Sequence, residues 1–293
     1  MKYTSSGAFR QALENRLKDL ARAKNISLVR LRKQIAFERF IARLQSVQPD
    51  IWILKGGLAM QLRLGTLSRT TKDVDLLNKE SSRNIHASLV EATSLDMGDW
   101  FVFEVGQEDK APQDAFGGHR YHVRCLLDGR EFEAFHVDVG VGDLLVNEFY
   151  YLRFDAILDF ADIASTEIPC YPVIQQIAEK LHALTREYKS GGSSRMKDFV
   201  DILLLAGLED IDGTILSEAI LSTFEMRKTH SVPSKMPALS KTLHREYTRL
   251  AKELDLRFGD FHNAEKALAE FINPVFSGNS QGIWRAKDWR WEE

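Results

Sequence analysis

Residues 53–77 carry the pattern that most narrows the folds open to this chain. The apolar pair Ile53-Leu54 runs into Lys55-Gly56-Gly57, an apolar-periodic segment follows from Leu58 to Leu64, and Asp73-Val74-Asp75-Leu76-Leu77 then alternates acid with apolar. This reads as strand, glycine turn, short helix, strand. Alternate residues of a strand share a face, so Asp73 and Asp75 project together while Val74 and Leu76 enter a core. Two carboxylates about 7 Å apart on one face repel each other. A divalent cation is the obvious compensation, because Mg²⁺ is held by one or two carboxylates together with substrate phosphate oxygens. Glycines at a strand-to-helix turn let backbone N–H groups approach those phosphates. The combination predicts metal-dependent nucleotidyl transfer, with Mg²⁺ or Mn²⁺ as cofactor and an NTP as substrate. The alternative is a strand end with two solvated acids, and the glycine turn upstream makes it the weaker one.

The rest of the chain frames this element. Its 293 residues, 44% hydrophobic and 28% charged, suit one large or two smaller domains. A net charge of −3 does not announce a nucleic-acid binder in bulk. Basic residues do cluster locally, at Arg22, Lys24, Arg30, Arg32, Lys33, Arg39 and Arg43 and again at 227–250, and the tail from Trp284 to Trp291 interleaves aromatics with cations. For the helices a solvated polar face outranks RNA contact, and for the tail packing onto the domain competes evenly with base stacking. Cys125 and Cys170 lack metal-ligand spacing and read as buried small residues, and no HxH or HExxH arrangement points to zinc. His122 and His136 fall in strand patterns and read as structural. No run approaches the roughly 20 apolar residues of a membrane span, and no secretory signal is visible, so a cytoplasmic protein with no membrane partner is expected.

Periodicity predicts helices over 7–24 and from a Ser27 cap to Val47, a strand at Ile51–Leu54, a helix Gly57–Leu64, a strand Asp73–Leu77 and a helix capped by Ser81 or Ser82. The period then drops to two, at 101–105, 121–126 and 131–139, with Asp128-Gly129 joining the last two as a hairpin and a loop over 106–118. After Pro172 it is helical, at 173–188, 195–207, 213–228, 238–256 and 261–273, with a connector at 190–194. The expected fold is α+β: a nucleotidyltransferase-type mixed sheet with flanking helices, followed by a helical half. The expected domains are 1–168, including two N-terminal helices, and 169–293, which would complete the active site. The hairpin could bring Asp138, in Val137-Asp138-Val139, beside the Asp73/Asp75 strand as a third carboxylate. Its alternative is an acid that ends a strand and caps the Gly140 turn.

Lys-Gly-Gly at 55–57 followed by Arg69-Thr70-Thr71-Lys72-Asp73-Val74-Asp75-Leu76 resembles the AbiEii/AbiGii toxin family of the DNA polymerase β-like nucleotidyltransferase superfamily, and within it the MenT toxins of mycobacteria. The resemblance continues at Gln176–Ala183 and Lys197–Ile202, so that four individually weak pieces stand in order across most of residues 50–205. It implies that Asp73, Asp75 and Asp138 hold metal, with Asp138 deprotonating the attacking hydroxyl. It further implies that Lys55, Gly56, Gly57, Arg69, Thr71, Lys180 and Asp198 line the nucleotide, that Lys180 balances phosphate charge, and that Asp201 orders Lys180 or the nucleotide. For Arg69 and Lys72 the alternative is a solvated surface charge, for Lys180, Asp198 and Asp201 a surface salt bridge, and for Thr70 strand propensity alone. Asp198 has Lys197, Arg195 and Lys180 as possible partners. The implied acceptor is a tRNA 3′ end, and the implied biology is a toxin opposed by a cognate antitoxin. Two rivals are an enzyme of the same fold acting on a protein or a small molecule such as an antibiotic, and a catalytically silent binding protein.

Overall fold

The computed structural model describes residues 1–80, 84–109, 118–142, 148–186, 194–239, 243–278 and 282–293. The chain is α+β and divides into two compact units, Met1–Asp143 with Phe149–Tyr171, and Leu144–Glu148 with Pro172–Glu293.

The first unit opens with α1 (Ser6–Lys24) and α2 (Leu28–Val47), each started by a serine outside the helix. Ser5 Oγ accepts the Ala8 N–H at 3.3 Å and Ser27 Oγ the Arg30 N–H at 3.1 Å, which satisfies one orphan donor at each helix start. The strands are β1 (Trp52–Lys55), β2 (Asp73–Asn78), β3 (Phe101–Asp109), β4 (His119–Leu127), β5 (Arg130–Val141), β6 (Tyr150–Arg153) and β7 (Glu167–Cys170). They form one mixed sheet in the order β3-β4-β5-β2-β1-β7-β6, with β2 at its centre. β2 runs parallel to β5 and antiparallel to β1. One face carries Val74, Leu76, Tyr121, Val123, Phe135, Val137 and Val139, all buried. The helices cover this face: Phe37 and Phe40 of α2 meet the Phe135 ring edge-on at 4.9 and 5.6 Å between centroids. The alternate residues, Asp73, Asp75, Arg120, His122, His136 and Asp138, stand half-buried on the other face.

Asp128 and Gly129 both have positive φ, 53° and 64°, the conformation of a two-residue hairpin turn matched to strand twist. α1 is tied to this hairpin, because Ser6 Oγ donates to Asp128 Oδ1 at 2.7 Å and Arg10 donates to the carbonyls of Leu127, Arg130 and Glu131. Several boundaries differ from the sequence reading. β3 continues through Gly106 to Asp109 by way of an irregular register between Val105 and Glu108, and β4 starts at His119, so the loop expected over 106–118 is partly strand. Residues 110–117 lie outside the described residues, as do Ser81 and Ser82. The cap of α4 (Ile85–Thr93) is Asn84, whose Oδ1 accepts the Ala87 N–H at 3.1 Å.

The basic cluster of α2 is turned inward. Arg39 and Arg43 are buried and converge on buried Asp99: Arg39 Nε lies 2.7 Å from Oδ2 and Arg43 Nη2 2.8 Å from Oδ1. Burial alone would raise the Asp99 pKa, but the two guanidiniums outweigh it and hold the carboxyl below the usual range. Arg30 bonds the Gly65 and Ser68 carbonyls, Arg32 pairs with Glu14 and Lys33 with Glu133. A solvated basic face fails here because α2 is buried almost all round from Ile35 to Leu44.

Glu38 on the same helix is also buried, and its Oε1 accepts the Thr166 N–H at 3.1 Å. Burial pushes its pKa up to about 7, against the opposing pull of that N–H and Arg39 and with a further push from Asp155 and Asp159. A raised folded-state pKa means the native state holds the proton more tightly than the unfolded chain. The contribution to stability is therefore complete below about pH 4.5 and lost as pH rises through 7. Glu38→Gln, which keeps the Thr166 acceptor, should stabilise the protein at pH 8 by up to about 3 kcal/mol and much less at pH 5. Urea midpoints at the two pH values check this, and an equal gain at both would contradict it.

The second unit holds α5 (Val173–Thr185), α6 (Ser194–Ala206), α7 (Gly213–Arg227), α8 (His244–Glu253) and α9 (Phe261–Phe276). A small sheet orders β10 (Arg290–Glu292), β9 (Ile283–Arg285) and β8 (Ile211–Asp212). The connector expected at 190–194 lies outside the described residues except Ser194, which opens α6. α8 starts later than its periodicity predicts, and α9 runs on past 273 with Pro274 in its last turn. The aromatic tail packs inward. Trp284, Trp289 and Trp291 donate their indole N–H groups to the carbonyls of Ala206, Ala267 and Phe271 at 2.8, 3.1 and 3.0 Å. Of the two readings of the tail, packing describes the structure, since these indoles have both ring contacts and N–H partners within the unit.

Candidate active site

β1 ends at Lys55 and α3 (Gly56–Leu64) begins at once, so the chain turns within the two glycines. Gly56 sits at φ +63°, and a Cβ there would lie 1.9 Å from Asp75 Oδ2. A Cβ on Gly57 would lie 2.7 Å from Thr71 Oγ1. Only bare backbone fits at either place. The close approach lets the Gly57 N–H donate to Asp75 Oδ2 at 3.2 Å, which pins the carboxylate against the turn. Buried Thr71 donates its hydroxyl to the Asp73 carbonyl at 3.2 Å, fixing the start of β2. That bond engages the one proton Thr71 could offer a phosphate.

Strand register sets four charges in a row across the sheet. Lys55 is opposite Asp75, Asp75 opposite Asp138, and Asp138 opposite Arg120. Asp138 lies within β5, which continues to Val141, so it is not a strand-ending cap. Arg120 grips it with both ends of its fork, Nε to Oδ1 at 2.6 Å and Nη2 to Oδ2 at 2.5 Å. The same Nη2 is 3.9 Å from Asp73 Oδ2. The next row joins Asp73, His136 and His122. His136 Nδ1 is 3.6 Å from Asp73 Oδ1, and the two imidazoles are 5.3 Å apart. The Lys55 ammonium stands 5.5 Å over the Tyr171 ring.

Burial is the largest influence on Asp75 and neighbouring Asp138 the next. Together with Asp73 they push its pKa up to about 6, against the Gly57 N–H and Lys55. The bidentate bond to Asp138 holds Arg120 still further above its already high range. An all-oxygen donor set and a carboxylate destabilised by its neighbours suit a hard divalent cation completed by phosphate oxygens. Among the described residues, however, no group of three or more His, Cys, Asp or Glu is gathered for a metal. The residues fit a cation held by the Asp73/Asp75 pair, with Asp138 engaged by Arg120.

In the second unit, Lys180 of α5 and Asp201 and Asp198 of α6 form their own cluster. Lys180 Nζ is 2.7 Å from Asp201 Oδ2 and 3.3 Å from Asp198 Oδ1. Lys180 and Asp201 are buried, so this is not a surface salt bridge. Of the partners considered for Asp198, Lys180 is in contact. Arg69 is half-buried, with its carbonyl accepting from Gln61 Nε2 at 3.2 Å, and Lys72 and Thr70 are exposed.

From sequence alone Arg120 receives no role, and His122 and His136 read as structural. The two histidines are not core residues, because the pleat turns them to the carboxylate face. The alternation His119-Arg120-Tyr121-His122-Val123-Arg124 is the signal that places them there.

The family model described as nucleotidyl transferase AbiEii toxin, type IV TA system, matches residues 39–277. None of the curated proteins compared matches in sequence. Among solved structures, MenT4, a nucleotidyltransferase toxin from Mycobacterium tuberculosis H37Rv, superposes with a TM-score of 0.56 at 15% identity, covering 93% of this chain and 92% of that one. JHP933 from Helicobacter pylori is similar at a TM-score of 0.44 and 13% identity, over 85% of this chain and 95% of that one. At these identities the likeness is one of fold.

Proposed function

The chain belongs to the AbiEii nucleotidyl transferase toxin family of type IV toxin–antitoxin systems, and from that premise we propose that it transfers a nucleoside monophosphate from an NTP to the 3′ end of a tRNA, using the carboxylate face of its sheet. The observation that carries the reading is the packing of Asp75 against the Gly56-Gly57 turn, in register with Asp138. An acceptor hydroxyl oxygen attacks the α-phosphorus, the bond to the leaving pyrophosphate breaks, and the hydroxyl proton passes to a base, for which Asp138 is the candidate. Asp73 and Asp75 would hold a divalent cation, which supplies charge stabilisation for the transferring phosphoryl group when bound. Lys55, Gly56, Gly57 and Arg69 are the groups proposed for the triphosphate, and Thr71 shapes the turn from behind. Lys180, oriented by Asp201 and Asp198, is the cation proposed to offset phosphate charge. A tRNA extended by an added nucleotide no longer ends in the residue that receives the amino acid, which would make the activity toxic and its antitoxin necessary.

One observation favours a second reading. The Arg30–Arg43 cations are engaged within the protein, so that stretch does not build a broad basic surface for RNA. An acceptor smaller than RNA, or a protein side chain, fits that equally. Incubating the protein with each α-³²P-labelled NTP in the presence of total tRNA, total protein and small-molecule extract separates them. The proposal expects label at RNA 3′ ends; label in protein or a small molecule alone would overturn the tRNA acceptor.

Lys180→Ala should slow transfer by about 10²-fold or more without changing Mn²⁺ affinity, because phosphate and not metal is its partner. Lys180→Arg should recover little, since a guanidinium cannot reproduce a point charge seated between Asp201 and Asp198. Turnover with paired Mn²⁺ titrations checks this, and full activity in the arginine variant would contradict it.

A further inference from the structure

Arg120 pairs with the carboxylate face through both ends of its fork, and the activity derived above gives it no task. Its fork occupies both oxygens of Asp138 at 2.6 and 2.5 Å, and the same guanidinium reaches to 3.9 Å from Asp73. It stands on strand β4, directly opposite Asp138, so the contact is built into the register and is not an accident of a long side chain. The result is a cation already lodged beside two of the three acids, while those acids are not gathered into a metal-holding group. A bidentate arginine takes the lone pair of each carboxylate oxygen that faces the guanidinium, which leaves only the outward-facing lone pairs for a metal ion.

We propose that Arg120 is a resident counter-cation that withholds Asp138 from metal until a nucleoside triphosphate arrives. The inference rests on the metal-dependent reading of this face. In the nucleotide-free protein, Arg120 offsets the repulsion among Asp73, Asp75 and Asp138, and a divalent ion finds only the Asp73/Asp75 pair. A polyphosphate brought to the face offers the guanidinium a second set of bidentate oxygen acceptors. When the fork moves to those oxygens, Asp138 is released to serve as base and third ligand. Arg120 thereby acts as a positioning residue that makes assembly of the site conditional on substrate.

Direct Mn²⁺ binding, followed by the loss of the free-ion EPR signal without nucleotide, tests this in the full-length protein. In the wild type, Asp138→Asn should change Mn²⁺ affinity by less than about twofold, because Asp138 is masked. Arg120→Gln should tighten nucleotide-free Mn²⁺ binding by about tenfold or more, and adding Asp138→Asn to it should abolish that gain. If Arg120 acted only through its diffuse charge, Asp138→Asn would have the same effect in both backgrounds, and that outcome overturns the proposal. An Arg120→Gln protein that binds Mn²⁺ no more tightly than wild type overturns it as well, leaving the metal site itself intact. No Mn²⁺ binding by any of the proteins, with or without NTP, overturns this inference together with the metal-dependent reading. Should Arg120→Gln fail to fold, the wild-type and Asp138→Asn pair decides alone: a tenfold loss on Asp138→Asn would show that Asp138 already binds metal in the resting protein.

Discussion

Asp75→Asn should lower nucleotide transfer by about 10³-fold and leave the protein at least as stable as the wild type. Asp75 is the acid nearest the turn, with the Gly57 N–H at 3.2 Å and bare glycine backbone against its Oδ2. Asparagine occupies the same volume and can still accept that N–H through its amide oxygen. What it removes is the negative charge, which is the property a divalent cation and an in-line phosphoryl transfer need. The same charge is costly in the resting protein, because burial and Asp138 both oppose ionisation there. Loss of function and gain of stability are therefore expected together. Labelled-NTP transfer and thermal melting of the same preparation check the pair, and turnover near that of wild type would contradict the role given to Asp75.

Asp99→Ala should cost about 3–5 kcal/mol of folding stability, a large share of the roughly 5–15 kcal/mol of an ordinary domain. The change strands two buried guanidiniums at once, because Arg39 and Arg43 share this one carboxylate. Arg43 would keep the carbonyls of Arg39 and Phe101, at 3.0 and 2.7 Å, but these are neutral acceptors and cannot balance a buried cation. The triple variant with Arg39→Met and Arg43→Met should recover most of the loss, since replacing a whole buried ion group by apolar residues is far cheaper than breaking it. Denaturant unfolding measures both; a single variant within 1 kcal/mol of wild type would mean that the arginines find other compensation.

The parts of the site legible in the sequence are those carried by local period. Asp73 and Asp75 alternate with Val74 and Leu76, and Gly56-Gly57 follows an apolar run, so strand, turn and shared face need no tertiary knowledge. Asp138 is less legible: the Asp128-Gly129 hairpin pairs β5 with β4, and the long-range parallel pairing of β5 with β2 is what sets Asp138 beside them. Arg120 was out of reach for a physical reason: its significance lies in cross-strand register, and a β4 begun at Tyr121 leaves it in a loop. Starting the strand at His119 moves Arg120 onto the face of the acids. Arg39, Arg43 and Glu38 are the converse case. A helix with polar residues at those positions reads as half-solvated, and only packing on several sides makes them interior. The tail of tryptophans has one composition and two meanings, decided by the carbonyls of Ala206, Ala267 and Phe271 that receive their N–H groups.

Nucleotide and metal are proposed to meet on the Asp73/Asp75/Asp138 face beside the glycine turn. A crystal structure with a non-hydrolysable NTP analogue and Mn²⁺, read by the anomalous signal of manganese, tests it most directly. An anomalous peak is expected against Asp73 and Asp75, with the triphosphate at the Gly56-Gly57 turn and Asp138 detached from Arg120 and turned toward the metal. Manganese absent from this face while the analogue sits elsewhere on the protein would contradict it.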